Sequence, residues 1–147
     1  MIEIEVNNDS WYNINVSYIE EFRNAVKKEF EDLTGKISLA MVSNEQIQLL
    51  NKMYYNLDQP TDVLSFADQE VDEEQNQNFQ KDYIGEILIA PDVMKEQAPK
   101  YNNNEDQEFC RLLVHGFLHL VGYDHAKDHE AAEMKEMENK LLTMMSC

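Results

Sequence analysis

Residues 115–125 read His115-Gly116-Phe117-Leu118-His119-Leu120-Val121-Gly122-Tyr123-Asp124-His125 and hold three of the four histidines in the chain. The apolar spacing around them predicts a helix over Phe109 to Val121, which sets His115 and His119 four residues apart on one face, within reach of a single ion. Gly122 suits the left-handed turn that commonly follows a helix end, and such a turn brings His125 toward the same ion from a third direction. Three neutral imidazoles suit zinc and leave its fourth tetrahedral position open, the pattern of a catalytic rather than a structural site. One ion per chain is expected. His129, beyond Asp128, is left outside the set as a surface residue.

The spacing His-x3-His-x2-Gly-x2-His is that of the long metzincin zinc signature, except that Gly116 stands where metzincins carry Glu. In those proteases the Glu is the general base toward the zinc-bound water, so its absence disfavours a conventional zinc protease. A peptidase-like hydrolase would need a base from elsewhere in the chain.

Outward from this stretch, Asn104 and Gln107 form a capping-box signal that opens the histidine-bearing helix. Phe109, Leu112, Leu113, Phe117 and Leu120 make that helix apolar nearly all round, so it is expected to run through the core as a rigid mount. A last helix begins near Asp128, with Met134, Met137, Leu141 and Met144 filling the core. Upstream, Tyr83 to Ala90 is a near-continuous apolar strand covered on both faces, and Pro91 opens a short helix limited by Pro99. Thr61 to Phe66 reads as a short strand, and the acidic, Gln/Asn-rich run from Ala67 to Asp82 as a mobile loop. Near the start, Ile2, Ile4 and Val6 alternate as in a half-buried strand. Ile19, Phe22, Val26 and Phe30 predict a helix over Ser17 to Asp32, Lys36 to Val42 is a strand, and Ser43 with Gln46 caps a helix carrying Ile47, Leu50 and Tyr54. The order predicts one α+β domain over residues 1–147, with a small mixed sheet and about five helices packed around a central metal-bearing helix in a zincin-like arrangement.

The net charge of −17 argues against a polyanionic partner, because nucleic-acid binding draws most of its affinity from Lys and Arg neutralising phosphates, although the force of this depends on where the charge lies. The acidic residues, including Asp68, Glu70, Asp72, Glu73 and Glu74 in one loop and Glu130, Glu133, Glu136 and Glu138 near the C-terminus, read as solvated surface. Arg23, Lys27, Lys28 and Lys36 are the candidates for one basic face, with Lys27 and Lys28 as its RNA contacts. An acidic surface also fits a basic protein partner. Cys110 and Cys147 make no ligand pattern and no disulfide framework, which suits a reduced, cytoplasmic setting. The N-terminus begins with acids, and no stretch is long and apolar enough to span a bilayer, so no membrane partner is expected.

With these residues assembled, the chain resembles the YbeY family of bacterial rRNA maturation factors, which are zinc-dependent, single-strand-specific endoribonucleases. The family signature His-Gly-x-Leu-His-Leu-x-Gly-Tyr-Asp-His is met at every specified position by His115 to His125. A second family segment, Leu-Asn-x-x-aromatic-Arg-x-x-Asp-x-Pro-Thr-Asp-Val-Leu-Ser-Phe, is met by Leu50-Asn51, Tyr54, Asp58 and Pro60 to Phe66. A third, Gly-(Asp/Glu)-Ile before a Pro, corresponds to Gly85-Glu86-Ile87 and Pro91. One position departs: where the family has Arg, this chain has Tyr55.

The resemblance implies cleavage of single-stranded RNA, maturation of the 3′ end of 16S rRNA and ribosome quality control. It implies zinc on His115, His119 and His125, in a cleft lined by Asp62, Thr61 and Ser65, with Asp124 orienting a histidine ligand. Arg111, one helical turn before His115, is either a substitute cation for Tyr55 or a partner of Glu108 or Asp106. Two rival readings stand beside this one: a non-catalytic, metal-stabilised ribosome-assembly factor that binds RNA or a ribosomal protein, and a metallopeptidase-like hydrolase.

Overall fold

Alternation of apolar residues on two inner strands decides the layering. Ile37, Leu39 and Met41 of one strand and Ile87 and Ile89 of the next are buried against a large core cluster on one side of the sheet. On the other side Leu64 and Leu88, with Ala40 and Phe66, pack against Ile47 and Leu50. Such alternation is the period of a pleated strand with both faces covered. In the computed structural model, which describes residues 1–68 and 82–147, the strands are β1 (Ile2–Asn8), β2 (Gly35–Met41), β3 (Val63–Ala67) and β4 (Tyr83–Ile89). Most of the expected acidic loop, residues 69–81, lies outside the described residues.

The sheet order is β1-β2-β4-β3, with β1, β2 and β4 parallel and β3 antiparallel on the edge beside β4. The helices are α1 (Val16–Glu29), α2 (Asn44–Tyr55), α3 (Pro91–Gln97), α4 (Glu105–Leu120) and α5 (Asp128–Thr143). Among the described residues this is the expected α+β arrangement of a mixed sheet and five α-helices, with a 3-10 turn at Ala98–Tyr101. Both capping boxes form, Ser43 with Gln46 and Asn104 with Gln107, because each needs only residues three apart. α4 crosses the sheet through the core; Phe22 and Phe30 meet the ring of Phe117 edge-on, each at 5.4 Å.

α4 lies unusually close to the sheet at Gly116. A Cβ there would sit 2.9 Å from Ile87 Cγ2 and 3.1 Å from Ser65 Oγ, so no larger side chain fits without movement. Ser65 Oγ donates to the Gly116 carbonyl at 2.9 Å, fastening β3 to the helix. The absence of the metzincin Glu therefore has a steric cause: this face of α4 points into packed sheet.

One expectation is corrected. Cys110 and Cys147 are joined in a disulfide, with their Cα atoms 6.4 Å apart. α5 packs along α4 and returns the chain end to the buried Cys110. The end is held to α1 as well, since the Ser146 backbone N–H donates to Glu21 Oε2 at 2.7 Å. A pair 37 residues apart in sequence gives no local signal of this meeting. The methionine stripe fills the core as expected, with Met134 and Leu141 buried and Met137 and Met144 packed on them.

Candidate metal centre

The end of α4 and the turn after it build the site. Gly122 has φ +100°, a conformation that L side chains rarely adopt, and the Tyr123 backbone N–H returns to the Leu118 carbonyl at 2.9 Å. The reversed chain brings His125 back over the helix. One ring nitrogen from each of His115, His119 and His125 then lies within 4.8 Å of the others, and His129 is outside this group.

The outer nitrogens fix which atoms face inward. His115 Nδ1 lies 2.5 Å from Glu138 Oε1, and His119 Nδ1 lies 3.0 Å from the Tyr123 carbonyl oxygen. Both partners are acceptors, so each Nδ1 carries the proton and each Nε2 presents a lone pair. Those two Nε2 atoms are 3.1 Å apart. Two facing lone pairs at that distance repel unless a cation lies between them. A tetrahedral ion with Zn–N bonds of about 2.0–2.1 Å needs nitrogens about 3.3 Å apart, so the donor set fits. Burial first, and then the neighbouring His115 and His125, push the His119 pKa below its ordinary value, which favours the neutral imidazole that a metal requires.

The sequence presents Glu138 as solvated acid, and the structure corrects this: it is 5% exposed. Burial alone would raise its pKa, but the hydrogen bond from His115 and the charge of Lys135 outweigh that and hold it below the usual carboxylate value. A signal was present in the sequence. Glu138 falls at helical spacing between Met134 and Leu141 on the buried stripe of α5, where a carboxylate requires a partner. The carboxylate found at a histidine ring nitrogen is Glu138, at His115 Nδ1. Asp124 Oδ1 instead accepts the His125 backbone N–H at 2.7 Å and shapes the returning loop.

The triad opens on a cleft of about 640 Å³ that includes Tyr55, Thr61, Asp62, Ser65 and Asp124. The structure thus brings together most of the expected site residues. Asp62 is pinned at both oxygens: Oδ1 accepts the Val63 N–H and Oδ2 accepts from Gln97 Nε2, each at 2.8 Å. Thr61 Oγ1 donates to Asp62 Oδ1 at 3.3 Å, and the Ser65 hydroxyl is committed to the helix as described. Asn51, noted in the sequence only as part of a motif, is buried at the cleft wall and holds the following bend through Gln59, whose carbonyl accepts from its Nδ2 at 2.9 Å.

The other charged candidates lie elsewhere. Arg111 is not among the described residues lining the cleft. Its Nε and Nη2 form a two-pronged pair with the fully buried Glu108 at 2.7 Å each, and its guanidinium lies 4.1 Å from the Tyr101 ring centre. Of its two expected alternatives, pairing with Glu108 is the one realised. Lys27 and Lys28 are exposed on α1, which packs on β1 at the sheet edge opposite β3. Arg23 pairs with Glu20 at 2.9 Å and Lys36 with Glu5 at 2.5 Å, so the expected basic face is diluted by acids.

Comparison with known proteins bears on the same residues. The family model described as Endoribonuclease YbeY matches residues 3–146. The chain is similar to the Endoribonuclease YbeY of Francisella philomiragia, at 34% identity over 96% of this chain and 89% of the relative. It is 36% identical to the Brevibacillus brevis Endoribonuclease YbeY over 95% of this chain and 90% of that one. With the Oceanobacillus iheyensis Endoribonuclease YbeY it shares 39% identity over 80% and 79% of the two chains. The solution structure of TM1509 from Thermotoga maritima superposes with a TM-score of 0.60 and 28% identity, covering 98% of this chain and 88% of the other. A match that runs through β1, the cleft and α5 alike makes this chain a member of the YbeY endoribonuclease family.

Proposed function

We propose that residues 1–147 form one metallo-hydrolase domain that binds a single zinc ion through His115, His119 and His125 and cleaves single-stranded RNA. The observation that carries this reading is the pair of inward Nε2 atoms 3.1 Å apart, with both outer nitrogens tied, at the floor of an open cleft. When bound, a divalent ion supplies a water that ionises near neutral pH and a positive charge beside the scissile phosphate.

The protein's own residues do the rest. Glu138 and the Tyr123 carbonyl hold the two imidazoles in the correct tautomer. Asp62, fixed by the Val63 N–H and Gln97 in the same cleft, is the carboxylate we assign as the group that would take up a proton from the attacking water. Thr61 and Asp124 line the same cleft, and Tyr55 offers a ring and a hydroxyl where the family carries a guanidinium.

The biological setting we propose is 3′-end maturation of 16S rRNA and ribosome quality control in the cytoplasm, on the small ribosomal subunit, with a ribosomal protein as a further partner. No helix among the described residues is long and apolar enough to cross a membrane. The packing at Gly116 speaks against a peptidase of the metzincin kind. The test is incubation of metal-loaded protein with single-stranded RNA, duplex RNA and a peptide. Cleavage of the single strand alone, abolished in His119→Ala, is expected. Intact RNA with normal metal content would favour a non-catalytic assembly factor, and peptide cleavage would favour the hydrolase alternative.

A further inference from the structure

Among the described residues, no Lys or Arg lines the cleft, while Asp62 and Asp124 do. Lys52, on the neighbouring helix α2, lies 3.7 Å from Asp58. A chain of net charge −17 with such a cleft cannot draw much affinity for RNA from phosphate neutralisation. Something else must hold the strand. Single-stranded nucleic acid has a second handle, the flat face of each unpaired base, which stacks on aromatic side chains regardless of sequence.

The rim of the cleft presents such faces. Exposed large apolar side chains gather at the end of α2 and just beyond it: Met53, Tyr54, Tyr55 and Leu57 are each at least half exposed. Tyr54 and Tyr55 both rest on Phe66 of β3, with ring centres at 4.9 Å and 6.4 Å, and the Tyr55 and Phe66 planes are within 24° of parallel. Phe66 is partly buried against the α2 core, so the platform is anchored to the sheet. Tyr55 itself lines the cleft that holds the three histidines, which makes the aromatic surface continuous with the metal centre.

We propose that Tyr54 and Tyr55, seated on Phe66, form a stacking subsite for an unpaired nucleobase next to the scissile phosphate. The subsite rests on the RNA-cleaving reading above and gives it a source of affinity that needs no basic groove. Because stacking requires an unstacked base, the same surface discriminates against duplex RNA. It also makes binding only weakly dependent on salt, in contrast to a site built from Lys27 and Lys28.

The test uses the full chain with His119→Ala, so that the strand is not cut, and a short single-stranded RNA carrying a fluorescent base. Tyr54→Ala and Tyr55→Ala are each expected to weaken binding about tenfold, whereas Tyr55→Phe, which keeps the ring, is expected to bind as the parent does. Lys27→Glu with Lys28→Glu is expected to change little. Both tyrosines are exposed, and a thermal melt equal to the parent's verifies folding of each variant. Unchanged affinity in both alanine variants, or equal loss in Tyr55→Phe and Tyr55→Ala, overturns the subsite while leaving the nuclease reading intact. A parent chain that neither binds nor, with His119 restored, cleaves single-stranded RNA overturns both.

Discussion

His115 Nδ1 and Glu138 Oε1 meet 2.5 Å apart across the packed faces of α4 and α5, joining residues 23 positions apart in the chain. This contact sets which His115 nitrogen faces His119 and His125, and it makes α5 part of the candidate site instead of a mere cover. Glu138→Ala is therefore expected to weaken metal affinity by about 10- to 100-fold. Glu138→Gln, whose carbonyl oxygen can still accept from Nδ1, should lose less. Competition with a chromogenic chelator measures both, and equal affinities in parent and Glu138→Ala would contradict the assignment.

The Cys110–Cys147 bond closes a loop that contains all three histidines and Glu138. For a separation of 37 residues, loop entropy alone makes the oxidised form more stable by roughly 3–4 kcal/mol. Cys147→Ser should lower the stability of the oxidised protein by up to that amount in urea unfolding, and should make little difference in the presence of a dithiol reductant. A variant as stable as the oxidised parent would show that the tail contributes nothing to holding α5.

Glu86 sits half-buried on the central strand β4, and desolvation raises its pKa above the usual glutamate value. A carboxyl whose folded pKa is raised stabilises the fold while protonated, and that contribution is lost as pH rises through the folded value. Glu86→Gln mimics the protonated form. It should melt at a higher temperature than the parent at about pH 7.5, with the difference shrinking toward about pH 4 as Glu86 itself takes up its proton. Equal melting temperatures across the range would show that the carboxylate is solvated in the folded protein.

How much of this was legible in the chain depends on range. Both capping boxes involve residues three apart, and both form. His115, His119, Gly122 and His125 lie within one helix end and one turn, so their convergence was readable from spacing. What could not be read were meetings set by tertiary packing. Along the chain Glu138 is one of many helix acids and is set apart only by the packing of α5 on α4, and Cys147 carries no local signal of Cys110. Arg111 had two acidic neighbours at plausible spacing, and only the burial of Glu108 beside Gln97 and Asn103 selects between them.

The pairing of Arg111 with Glu108 separates two roles for positive charge. Arg111→Ala leaves a buried carboxylate with only neutral donors, so it should cost roughly 3 kcal/mol of stability with little direct effect on the chemical step. Tyr55→Arg, by contrast, places a charge on the cleft wall while keeping a planar group beside Phe66. Since one donor aimed at developing negative charge is typically worth on the order of a hundredfold, single-turnover RNA cleavage should rise substantially in Tyr55→Arg with metal content unchanged. A rate unaffected by Tyr55→Arg but abolished in a folded Arg111→Ala protein would reverse these assignments.

The central claim is that one divalent ion is held by His115, His119 and His125. Elemental analysis of purified parent, His119→Ala and His129→Ala proteins tests it most directly. The account predicts about one ion per chain in the parent and in His129→Ala, and loss of the ion in His119→Ala, with a lower melting temperature because the metal binds the folded state preferentially. Metal retained in full by His119→Ala, or lost from His129→Ala, would contradict it.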